Sequence, residues 1–94
     1  MIRETKVAEL LTPLRARFAE KYGLTAPWSY RVERDERGHK EIFVRVNVNV
    51  EIDVPTVRDV RSSIREFLLA VPELDEYFPH VEFNDIREPS EVEA

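Results

Sequence analysis

A chain of 94 residues with no cysteine, two glycines and a formal net charge of −5 holds one domain around one core, and it excludes disulfides, thiolate catalysis and Cys-ligated metal centres. The two glycines, Gly23 and Gly38, leave no glycine-rich loop to cradle a nucleotide phosphate, so no cofactor is expected. No apolar run approaches the ~20 residues of a membrane span, and Met1 to Lys6 lead straight into an amphipathic pattern, so a cytoplasmic protein is expected.

From Arg3 to Tyr22 the apolar residues Val7, Leu10, Leu11, Leu14, Phe18 and Tyr22 recur at helical spacing and predict a core-facing helix. Pro13 lies inside it without breaking the phase of the stripe, which predicts a kink, and Gly23 is the expected stop. Trp28 to Asp35 alternates, with Trp28, Tyr30 and Val32 on one side, and reads as a strand. Asp35 to His39 suits a hairpin turn closed by Gly38 in the left-handed region. That turn sets Val32 opposite Ile42, Tyr30 opposite Val44 and Trp28 opposite Val46. It also sets Glu33 against Glu41, a like-charge contact that Arg31 could relieve.

Lys40 to Asp53 carries aliphatic residues at every even position from Ile42 to Ile52. It predicts one long strand of roughly 40 Å whose end outruns its hairpin partner. Thr56 with Asp59 reads as a capping-box start for a second helix bearing Val57, Val60, Ile64, Phe67, Leu68 and Val71. Pro72 closes that helix, and Leu74, Tyr77 and Phe78 suit a further short turn of helix. His80 to Ile86 reads as a third strand, parallel to the long one and pairing with its overhang. Arg87 to Ala94 is acidic and apolar-poor, the composition of a flexible tail after a single domain over 1–86.

The predicted fold is a two-layer α+β sandwich of order α-β-β-α-(short α)-β, with two helices on one face of a small sheet. This element order resembles that of the prokaryotic-type KH module of RNA-binding proteins. The resemblance is one of order alone: where that module carries its phosphate-contacting GxxG loop, this chain has Leu69-Ala70-Val71-Pro72-Glu73-Leu74, without glycine.

Three surfaces are candidates for chemistry. The open side of the long strand would carry Phe43, Arg45, Asn47, Asn49 and Glu51, with Asp53 beyond them. Asparagine is disfavoured in strands, so two of them suggest contacts with a protein partner or a second copy. Arg58, Arg61 and Arg65 make a basic stripe on the second helix, an alternative nucleic-acid contact, with Asp59 and Glu66 placed to neutralise it. Charge is uneven along the chain: residues 1–72 hold thirteen basic and eleven acidic groups, whereas 73–94 hold one and eight. Glu73, Asp75, Glu76, His80, Glu82 and Asp85 are ligand-type groups without metal-site spacing, so no metal is expected. Glu51, Asp53, Glu82 and His80 would act as a catalytic set only if the fold drew them together. The expected function is therefore a non-enzymatic interaction or regulatory domain, self-associating through its exposed strand face. The absence of glutamine and a charged fraction of 35% share the compositional bias of heat-stable proteins.

Overall fold

The computed structural model describes residues 1–87; of the flexible tail expected over 87–94, all but Arg87 lies outside them. Helix α1 spans Glu4–Tyr22 and buries Val7, Leu11, Leu14 and Phe18, the predicted stripe. It runs as one helix through Pro13, and it ends at Gly23, whose φ of 73° closes the last turn. Strand β1, Ser29–Arg34, is joined to β2, Lys40–Val48, by the expected turn. There Asp35 Oδ1 accepts hydrogen bonds from the amides of Arg37 and His39, and Gly38 takes φ 86°. The antiparallel register sets Val32 opposite Ile42, Tyr30 opposite Val44 and Glu33 opposite Glu41, as the turn length requires. Trp28 falls one residue before the strand and packs in the core.

The long strand ends sooner than its alternation predicts. β2 stops at Val48, and no overhang reaches Asp53. Val50 and Ile52 still pack against the core, from the connection to the next helix. Apolar burial, not strand pairing, accounts for their spacing. Helix α2 runs Val54–Leu69 and starts earlier than expected because Asp53 is its N-cap: its carboxylate accepts from Thr56 N at 3.0 Å and from Thr56 Oγ1 at 2.6 Å. Thr56 is the donor to the cap, not the cap. A 3-10 turn covers Pro72–Leu74, and β3 spans Tyr77–Asp85. Tyr77 and Phe78 therefore belong to the strand and not to a short helix. Pro79 is tolerated within β3 because this is an edge strand.

The sheet order is β1-β2-β3, with β3 parallel to β2 from Lys40↔Tyr77 to Val48↔Asp85. Both helices lie on one face, over Ile42, Val44 and Val46 of the central strand, all fully buried. The architecture is the predicted two-layer α+β sandwich. At the outer edge of β1, the Val32 amide donates to Glu4 Oε2 at 3.1 Å, so the start of α1 caps that edge. No helix among the described residues is long and apolar enough to cross a membrane.

Candidate functional site

The side of the sheet that the helices leave uncovered is built by register. Phe43, in the middle of β2, stands opposite Arg31 on β1 and His80 on β3. A row of side chains therefore crosses all three strands. The Arg31 guanidinium lies 4.4 Å from the Phe43 ring centre, and Phe43 and His80 stack at 4.5 Å with their planes 10° apart. Phe78, two residues along β3 on the same side, leans on His80 at 4.9 Å and is 58% exposed. Cation–π and offset aromatic contacts of this kind add about 0.5–1.5 kcal/mol each beyond the area they bury. The row is a continuous platform of stacked side chains.

The charged groups around it are paired within the chain. Arg31 bridges to Glu33, His80 Nε2 lies 2.6 Å from Glu41 Oε1, and Arg45 Nε lies 3.5 Å from Glu82 Oε1. The Glu33–Glu41 contact is thus relieved from both sides, by Arg31 as expected and by His80 across the other strand pair. Asn84 Nδ2 donates to Asn47 Oδ1 at 3.1 Å and extends the polar row towards the end of the sheet.

Of the five residues expected on this surface, Phe43, Arg45 and Asn47 are on it, while Asn49 and Glu51 lie past the end of β2. Both asparagines serve the fold. Asn47 Nδ2 donates to the Pro27 carbonyl at 2.7 Å and Asn49 Nδ2 to Thr25 Oγ1 at 2.9 Å, which fastens the α1–β1 connection to β2 and its end. Arg31, His80 and Phe78 are the surface residues that sequence reasoning missed. The hairpin register already placed Arg31 beside Phe43, whereas His80 and Phe78 needed the register of β3.

Arg58, Arg61 and Arg65 are exposed on α2. Among the described residues no carboxylate lies within ion-pair distance of any of them. Asp59 does not neutralise the stripe: it accepts from the Tyr22 hydroxyl at 2.5 Å and from Ser63 Oγ at 3.1 Å, and Lys21 Nζ lies 3.5 Å away. The Arg61 guanidinium lies 5.2 Å from the Phe83 ring centre. Arg61 and Arg65 share a groove with Phe78, His80 and Val81 along β3.

Glu51, Asp53, Glu82 and His80 are not drawn together: Asp53 caps α2, Glu82 meets Arg45 and His80 meets Glu41. The acidic residues around β3 disperse in the same way, Glu76 to Lys40 and Asp85 to Arg87. The Arg87 side chain and amide hold the Asp85 carboxyl down at about 2. Among the described residues no group of three or more His, Asp or Glu could hold a metal ion. Comparison with protein-family models, with curated proteins and with solved structures gives no match to this chain.

Proposed function

We propose that the chain is a small protein-interaction domain, without catalysis of its own, that meets a second copy of itself through the open face of its sheet. One observation carries the reading: the Arg31–Phe43–His80–Phe78 row spans the face while the charges beside it are paired within the chain. A surface with its charges compensated needs no counter-ions from a partner, and its aromatic centre suits a self-complementary contact about a two-fold axis. Two nine-residue strands beside a six-residue one give a footprint of at most about 14 by 30 Å, roughly 400 Å² a side, below the ~600 Å² a side at which stable specific interfaces begin. The association is therefore weak and concentration-dependent. The cytoplasmic setting expected from composition belongs to the same proposal.

Light scattering across a concentration series tests it. The mass is expected to rise from monomer towards dimer, and Phe43→Asp and Phe78→Asp are expected to hold it at monomer with an unchanged circular dichroism spectrum. A wild-type mass that stays monomeric throughout, or variants that associate as well as wild type, would exclude this use of the face.

A second reading, contact with nucleic acid through Arg58, Arg61 and Arg65, is supported by their lack of carboxylate partners among the described residues. It requires affinity that falls steeply with salt and is lost on Arg61→Glu.

A further inference from the structure

The outer edge of β3 is a separate surface. The Ile86 amide donates to the Val48 carbonyl at 3.0 Å. In a parallel ladder, successive residues turn their backbone groups to opposite sides. The even residues of β3 therefore face β2, and Tyr77, Pro79, Val81, Phe83 and Asp85 face outward. Pro79, which has no N–H to offer, stands at one of the outward positions, where a proline does least harm. Among the described residues no strand pairs with this side of β3.

On the helix side of this edge stand Arg61 and Arg65, and on the open-face side Phe78 and His80. The groove they form with Val81 has a volume of about 310 Å³, room for a few side chains and at the bottom of the range of about 300–1,000 Å³ in which pockets enclose whole ligands. The two arginines are four residues apart, about 6 Å along the helix, while alternate residues of a strand are about 6.7 Å apart. A strand added beside β3 would turn every second side chain towards the arginines and the others towards Phe78 and His80.

We infer that the outer edge of β3 binds an extended acidic peptide of a partner protein, as an added strand in which acidic and apolar residues alternate. Backbone pairing with the outward groups of Val81, Phe83 and Asp85 supplies the grip, and Arg61 and Arg65 select the acidic side chains. Charge complementarity favours this occupant over a second copy, because two β3 edges brought together would set one arginine stripe beside the other. It also favours a single strand of carboxylates over a polyanion, since the chain as a whole carries −5.

The test uses the full chain and a blocked nine-residue peptide alternating Glu and Val, with a control of the same composition in two blocks. The alternating peptide is expected to bind and the block control to bind about tenfold more weakly or worse, because only alternation presents both faces. Amide exchange is expected to slow at Val81 and Phe83, whose N–H groups point outward, and to be unchanged at Glu82 and Asn84, which already face β2. The double substitution Arg61→Glu with Arg65→Glu is expected to lose the Glu–Val peptide by about tenfold or more, to gain a Lys–Val peptide, and to self-associate as wild type does. That last readout separates this inference from the open-face reading.

Equal binding of the block control, equal binding by the charge-reversed variant, or peptide binding without slowed exchange at Val81 and Phe83 would each overturn it. Tight, salt-sensitive binding of oligouridine with no peptide binding would assign the arginines to nucleic acid. If the peptide binds only when Glu91→Lys and Glu93→Lys are introduced, the chain's own Glu91-Val92-Glu93 sequence holds the edge in the wild type, which overturns a foreign peptide as its resident occupant.

Discussion

Asn47 and Asn49 hold the α1–β1 connection by side-chain bonds to Pro27 and Thr25. Replacing Asn47 by alanine leaves the Pro27 carbonyl without that donor and is expected to cost about 1 kcal/mol in chemical denaturation. Tyr30 offers the opposite case. Its hydroxyl and Trp28 Nε1 are buried without a protein hydrogen-bond partner, and burial raises the Tyr30 pKa above its ordinary value while Arg15 offsets part of the rise. Tyr30→Phe removes a group desolvated without return, so this variant is expected to be at least as stable as wild type. Asp53 and Asp59 make stability depend on acid. The Thr56 hydroxyl and amide hold the Asp53 carboxyl below the usual range, and the Tyr22 hydroxyl, ahead of Ser63 and Lys21, does the same for Asp59. With folded values below the unfolded value of about 3.9, their contribution is complete above that pH and is lost as pH falls through the folded values. Thermal midpoints are expected to be level from about pH 7 to 5 and to fall below about pH 4, more gently in Asp53→Asn, which keeps a cap without a titrating group. The asparagines were visible in the sequence as an anomaly within a strand. Their partners, 20 and 24 residues away, carry no local signal, so a surface role was the nearer reading.

Elements were legible where one physical cause set the pattern. The stripe of α1 and the Asp35–Gly38 turn each report a single local geometry, and both recur in the structure with the predicted register. Two causes coincided beyond Val48. Val50 and Ile52 keep period-two spacing because they cover the core, while the Asp53 cap draws the chain into α2. Alternation alone cannot separate a strand from a connection that happens to bury every second residue. The start of β3 was hidden by Pro79, a residue that argues against a strand unless the strand is known to lie at an edge. Pro13 gives an element-scale prediction. It is exposed within a helix that continues past it, where it denies the Glu9 carbonyl a backbone donor. Pro13→Ala is expected to stabilise the protein by about 1–3 kcal/mol in urea unfolding, since the helix regains a bond and loses a ring clash.

At the scale of the whole molecule, the two proposed surfaces differ in their electrostatics, and this difference can be measured. Pairs such as Arg45–Glu82 and His80–Glu41 are closed within the chain, so self-association through the open face is expected to change by less than about threefold between 50 and 500 mM salt. Acidic-peptide binding at Arg61 and Arg65 is expected to weaken by about tenfold over the same range. Sedimentation and peptide titration in the same buffers check both. The sheet has two edges, and they are not equivalent. The Glu4 carboxylate sits on the Val32 amide at the middle of the β1 edge, while the β3 edge carries no such cap among the described residues. A sheet open at both ends can recruit copies indefinitely, and this is how strand pairing grows into fibres. With the β1 edge blocked at Val32, a copy whose β3 edge is occupied has no second edge of its own to offer another copy, so edge pairing of this chain ends where it begins.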